Sequence, residues 1–232
     1  MKKIKALALA LSLGIIMVGC NNTQKGATIG TAGGAVLGAI IGKIAGNAGV
    51  GAAIGGAVGA GTGAIIGNRM DKVKKQAEAV QNAQVQQVTD ANGLQAVKVT
   101  FDSGILFPTS SSTLQASAQN SLIQFANVLK QNTDADVAIQ GYTDNDPWKG
   151  STAEQSVQKN LNLSQQRAQS VSTFLIGQGV SGAQIKSVQG FGEQNPVADN
   201  STAAGKAQNR RVEVYLYASQ AMIDAANNGT LK

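Results

Sequence analysis

Glycine recurs at every fourth residue over two stretches of this chain, and few backbones accommodate that pattern. Gly30, Gly34, Gly38, Gly42 and Gly46 make the first run; Gly51, Gly55, Gly59, Gly63 and Gly67 make the second. Ala, Val, Ile and Leu fill most of the gaps, and Lys43 is the only charge between Gly26 and Asn68. A period of four sets each run of glycines along one helix face, where the missing side chains let another helix approach closely. Each run covers about 17 residues, near the lower limit for crossing a bilayer. The expected structure over residues 26–68 is a hairpin of two helices turning about Asn47. Three settings fit such a segment. It is embedded in a membrane or self-associated, or packed as a soluble hairpin, or left as a disordered tether, since glycine costs about 1 kcal/mol per helical residue relative to alanine. The Ala/Ile/Val filling favours the first setting over a flexible linker. Lys43 argues against plain contact with hydrocarbon unless it faces a partner or a polar pore.

Ahead of the ladder, Met1-Lys2-Lys3-Ile4-Lys5 is a positive start, and Ala6 to Val18 is an uncharged, mostly apolar run of 13 residues. That length is typical of a signal-peptide core and short for a membrane span. The run closes on Met17-Val18-Gly19-Cys20, which resembles the lipobox of bacterial lipoproteins. The resemblance implies a signal peptide over residues 1–19, a lipidated N-terminus over residues 20–25, and a Cys20 thiol carrying diacylglycerol with chains such as palmitate. Cys20 is the only cysteine, so no intrachain disulfide is possible. Asn21, rather than Asp, follows it and points to the outer membrane. Two or more acyl chains suffice for stable anchoring. Removing the leader's three lysines from the 19 basic residues leaves 16 against 13 acidic ones, and no basic run is interleaved with aromatics. Nucleic acid is therefore not an expected partner. The chain has no histidine, which removes Ser-His, Cys-His and His-metal arrangements together.

Residues 69–93 read as a helical connector and solvated spacer, with Val73, Ala77, Val80 and Gln84 at helical spacing. Beyond Gly93, strand and helix patterns alternate. Val97, Val99 and Phe101 alternate with polar residues; Leu114, Ala118, Leu122, Phe125 and Leu129 step along a helix face. A strand at 137–141, a helix over 160–178 stopped by Gly179, a strand at 185–191 and a strand at 212–216 follow. The fold class is α+β: an order β-α-β-α-β-β over residues 94–219, forming a sandwich of one sheet with helices on one face. Residues 220–232 are left as a C-terminal tail.

Four blocks punctuate this domain: Gly141-Tyr142-Thr143-Asp144; Asn160-x-x-Leu163-Ser164-x-x-Arg167-Ala168-x-x-Val171; Gly190-Phe191-Gly192-Glu193-x-x-Pro196; and Asn209-Arg210-Arg211-Val212-Glu213. Their order and spacing resemble the signature of the OmpA-like domain, shared with peptidoglycan-associated lipoproteins and flagellar stator proteins, and Phe101-Asp102-Ser103 fits it too. The ladder likewise resembles the glycine-zipper segments of outer-membrane lipoproteins. The resemblance implies a peptidoglycan site for a diaminopimelate-type stem peptide, whose free end is an ammonium beside a carboxylate. Asp144 would accept from the ammonium, and Arg167 would offer its planar fork to the carboxylate. Thr143, Asn160 and Asn209 would add neutral hydrogen bonds, with Arg210 or Arg211 supporting the pocket. Asn160 and Arg167, seven apart, share a helix face. One departure is a longer segment of 15 residues between Asp144 and Asn160, holding the single tryptophan, Trp148. That indole reads either as a plug for the loop or as a stacking surface for sugar rings.

The functional expectation is an outer-membrane lipoprotein that binds peptidoglycan non-covalently, tethers the envelope to the wall, and faces the periplasm with its C-terminal domain. It needs no cofactor and no metal, and it is not an enzyme, since no motif sets a second carboxylate by Asp144 apart from Asp146. Outer-membrane lipid through Cys20 and self-association through the ladder complete the expected partners. The alternative is a membrane-inserting or pore-associated glycine-zipper protein whose OmpA-like domain only positions the assembly.

Overall fold

A computed structural model of the chain describes residues 60–89 and 94–231. Five strands form one mixed sheet: β1 (Ala83–Thr89), β2 (Gln95–Asp102), β3 (Ala135–Gly141), β4 (Ile185–Gly190) and β5 (Arg211–Ala218), in the spatial order β1-β2-β5-β3-β4. Only β3 and β4 run parallel; every other pair is antiparallel. The helices are α1 (Ala60–Glu78), the short α2 (Ser103–Leu106), α3 (Ala116–Gln131), α4 (Ala153–Gly177), α5 (Ala203–Asn209) and α6 (Gln220–Asn227). From β2 onward the main elements follow the expected β-α-β-α-β-β order.

One apolar core holds the inward faces of α1, α3, α4 and α6 against a single face of the sheet. Met70, Val97, Phe101, Phe125, Ile139, Val171, Leu216 and Met222 all belong to it. On the opposite face the outward-pointing Glu213 is buried as well, held by Arg211 at 2.8 Å and by the hydroxyl of Tyr215. The glycine stop of α4 is as expected. Gly179 takes φ +89° and donates to Ile176 O, while the amide of Val180 reaches back to Leu175 O, a closure that needs a residue without a Cβ penalty.

Three boundaries differ from the sequence reading. The supposed connector 69–93 is not a spacer. Its first part continues α1, whose Ile66, Met70, Val73 and Ala77 are fully buried, and its second part is the edge strand β1. The helix ends at Glu78, and Asn82, at φ +58°, then turns the chain into the strand. The C-terminal tail contains α6, capped by Ser219 and docked through Met222, Ile223 and Ala226. Finally, α4 begins at Ala153 and not at Asn160, because Thr152 and Gln155 form a reciprocal capping box. Part of the long segment after Asp144 is therefore extra helix. The last residues of the ladder, from Ala60, open α1, and Gly67 lies against the Gln95 side chain of β2. The rest of the ladder, the leader and Cys20 lie outside the described residues. Among the described residues no helix is long and apolar enough to cross a membrane.

Candidate functional site

The site is built where β3 and β4 end against the middle of α4. A Cβ added to Gly141 would sit 2.1 Å from Ser164 O, and one on Gly190 would sit 2.2 Å from Gln165 N. Both strand ends therefore press backbone to backbone on the helix, which only glycine allows. Ser164 and Gln165 fasten the contact: Ser164 Oγ accepts from Gly192 N–H at 2.8 Å, and Gln165 Oε1 accepts from Gly190 N–H at 2.7 Å. The chain leaving β3 thus delivers Thr143 and Asp144 beside Asn160, Leu163 and Arg167 of α4.

These residues line a cleft of about 630 Å³. Ser103, Gly104 and the segment Phe107–Ser110 form one wall, and Asp146–Lys149 form the other; Arg210 closes it from the end of α5. Arg167 is only 3% exposed. Its Nε donates to Ser111 O at 2.9 Å, and the guanidinium carbon lies 5.3 Å from the Phe107 ring centroid. Among the described residues no carboxylate lies within ion-pairing distance of it. Burial pushes the Arg167 pKa down to about 10; the nearby Asp144 charge partly offsets this, and Arg210 adds to it. A guanidinium so desolvated gains from any anion that enters the cleft.

Asp144 pairs with Arg210, not with Arg167, and its second oxygen accepts from the Asp146 amide at 3.3 Å. A simple ion pair joining loop to helix through Asp144 and Arg167 is thus not what the fold contains. A carboxylate offers about four lone-pair positions, so acceptor capacity remains on Asp144. Among the described residues the buried hydroxyls of Ser103 and Thr143 have no partner, and both residues line the cleft.

Not every candidate from the sequence reaches the cleft with free groups. Asn160 does line it, but its Oδ1 accepts from Trp148 Nε1 at 2.7 Å and its Nδ2 donates to Asp146 O at 3.2 Å, so it braces the wall. Asn209 is elsewhere. Its Oδ1 accepts from the amides of Val197 and Ala198, and its Nδ2 donates to Ala198 O and Asn200 Oδ1. That uses all four positions of the amide, leaving none for a ligand. Arg211 points to the other side of the sheet, with its guanidinium 3.8 Å from the Tyr142 centroid, so Arg210 is the arginine of the pair that meets the cleft. Ser103, Phe107 and Lys149 are lining residues that pattern reading did not single out as contacts. Only Ser103 carried a signal, as the end of the Phe101-Asp102-Ser103 block. Among the described residues no group of three His, Cys, Asp or Glu is placed to hold a metal ion.

A mixed sheet covered by helices on one face, with a charged cleft at the end of its parallel pair, is the architecture of an OmpA-like domain. Residues 106–210 match the model of the OmpA family, and residues 1–71 match that of the YMGG-like Gly-zipper. The C-terminal part of the chain thus matches the OmpA family and its N-terminal part the Gly-zipper family. The Probable lipoprotein YiaD of Escherichia coli is 47% identical over 112 residues, 48% of this chain and 47% of that protein. The peptidoglycan-binding protein ArfA of Mycobacterium tuberculosis is 38% identical over 119 residues, 51% of this chain and 34% of that protein. The chain spans less than half the length of either relative. Among solved structures, the cell wall anchor of the T6SS from Pseudomonas aeruginosa aligns with a TM-score of 0.51 at 28% identity, covering 65% of this chain and 98% of that one. A MotB like protein from Desulfovibrio vulgaris shares the fold, with a TM-score of 0.54 at 23% identity over 66% of this chain and 92% of that one.

Proposed function

We propose that the protein is an outer-membrane lipoprotein, anchored through Cys20, that binds peptidoglycan non-covalently through the cleft and so tethers the envelope to the wall. One observation carries the reading: a buried guanidinium with no carboxylate partner shares a cleft with a buried aspartate and two unpartnered hydroxyls. Such a cleft is complementary to a zwitterionic end, an ammonium beside a carboxylate, as on the free end of a diaminopimelate stem peptide. Arg167 takes the carboxylate, Asp144 the ammonium alongside Arg210, and the Thr143 hydroxyl a remaining polar group. Binding and not catalysis is the role, in keeping with a relative named for binding peptidoglycan and a similar structure named as a cell wall anchor.

The test is co-sedimentation of the full chain with purified sacculi, with melting temperature measured on the same samples. Asp144→Ala and Arg167→Ala are each expected to weaken binding by two to three decades, because stranding one half of a sheltered charge pair costs roughly 2–5 kcal/mol. Arg167→Lys is expected to fail largely as well, since an ammonium cannot reproduce the bidentate fork. Undiminished sacculus binding by both alanine variants would remove the site assignment.

A further inference from the structure

The stem-peptide site accounts for Asp144, Arg167 and the hydroxyls of the cleft, but not for its second wall. That wall carries Trp148, the only tryptophan of the chain. Packing does not explain its place. The residue is half-buried and belongs to neither apolar cluster of the described residues. Its Nε1–H donates to Asn160 Oδ1 at 2.7 Å, its amide donates to Ser156 Oγ at 3.0 Å, and its carbonyl accepts from Ser151 N–H at 3.0 Å. The Lys159 ammonium stands 5.7 Å from the ring centroid. Asn160 is itself 4% exposed and also donates to the carbonyls of Asp146 and Asp144, at 3.2 and 3.5 Å. A single buried amide therefore ties the indole to the segment that carries the acid. A large apolar ring anchored through its own Nε1–H, on a residue whose backbone is held at two further points, is a preorganised contact surface, with little side-chain freedom left to lose on binding.

We propose that Trp148, with Pro147 beside it, forms a second subsite that receives the hydrocarbon part of the peptide whose zwitterionic end occupies Asp144 and Arg167. The domain then reads the peptide of the wall and not its glycan. This rests on the site assignment above. Reach decides between peptide and sugar. One asparagine side chain separates the indole from Asp144, so the methylenes of the bound diamino acid fall beside the ring. A sugar on the same stem is set off by the intervening residues, each adding roughly 3.3–3.6 Å of extended chain. It lies beyond the wall.

Because Trp148 is the only tryptophan, its emission reports on this wall in the unaltered full chain, held in detergent micelles. The probes are a sugar-free tripeptide ending in diaminopimelate and a peptide-free tetramer of N-acetylglucosamine, with calorimetry as the second readout. The tripeptide is expected to shift Trp148 emission saturably, and the tetramer to leave it unchanged. Trp148→Ala is expected to weaken tripeptide binding about tenfold at an unchanged melting temperature, with Trp148→Phe recovering most of the loss. An emission change with the tetramer in place of the tripeptide overturns the proposal. So does tripeptide binding by Trp148→Ala equal to that of the parent, or a loss that only follows a lowered melting temperature. If Asp144→Ala abolishes tripeptide binding while Trp148→Ala binds normally, the zwitterion site stands and the second subsite alone falls. If the parent chain does not bind the tripeptide at all, both fall.

Discussion

Gly141 and Gly190 show how much of the site depends on atoms that are absent. At each, a single methyl group would run into the backbone of α4 rather than into a flexible side chain, at 2.1 and 2.2 Å. Gly141→Ala should force strand end and helix apart, an overpacking penalty of about 1–3 kcal/mol. For a domain of this size that corresponds to a fall in melting temperature of roughly 2–12 °C. Sacculus binding should weaken further than stability alone explains, because the same shift carries Asp144 away from Arg167. An unchanged melting temperature for Gly141→Ala would show that the strand end does not bear on the helix as described. The glycines were visible in the sequence as members of a pattern, but the pattern did not say why they were there. Asn209 marks the limit of such reading. It belongs to the signature, yet its amide is fully engaged with residues 197–200. Residue type and spacing cannot reveal which hydrogen bonds are already made. The same holds for Asn160, whose position on the face of Arg167 was legible while its role as a brace for Trp148 was not.

At the scale of elements, the strongly periodic segments were legible and the polar edge was not. The helix over 116–131 and the strand over 211–218 carry apolar residues at the spacing of their own geometry; burial follows that pattern in the helix, while in the strand Arg211, Glu213 and Tyr215 on the other face are buried as well. The strand β1 reads AQVQQVT, with only Val85 and Val88 as large apolar residues and its other five residues polar or small. Glutamines do not announce a strand; the ladder with β2 creates one, an instance of tertiary context overriding propensity. Missing that strand also hid the fact that α1 belongs to the domain. A fragment starting at Leu94 would lose both α1 and β1. Among other contacts, it would expose the core that Ile66, Met70 and Val73 cover. At about 1.5–3 kcal/mol for each large buried side chain, this loss is comparable with the whole stability of an ordinary domain, about 5–15 kcal/mol. The fragment 94–232 is expected to show no cooperative melting transition, whereas a fragment starting at Ala60 is expected to melt cooperatively. Equal melting behaviour of the two in thermal circular dichroism would contradict the assignment of α1 to the core.

For the whole molecule, the end of the second glycine run and the C-terminal domain share one helix, α1, which buries Ile66, Met70, Val73 and Ala77 in the domain core. Arg69 makes a two-pronged ion pair with Asp134 at 2.9 Å, and the Thr62 hydroxyl donates to Asn227 at 2.8 Å, so the entering helix is fixed from two directions. The tether proposed for this protein then has two independent holds, a lipid at Cys20 and a ligand in the cleft, and each can be released without the other. Cys20→Ser removes the only thiol, and with it the proposed acylation site, while the cleft lies in a domain that folds around its own core. This variant is expected to lose fatty-acid label and leave the membrane fraction, yet to bind purified sacculi as the parent does. Asp144→Ala is expected to do the reverse, keeping its label and its membrane association while failing to sediment with sacculi. Only the parent should link membrane fragments to sacculi in a mixed sedimentation assay, and a mixture of the two variants should not restore that link, because each hold must be on the same chain. Restoration by the mixture would mean that copies of the chain associate strongly enough to share their holds. Equal fatty-acid label in the parent and Cys20→Ser would remove the lipid anchor from the scheme.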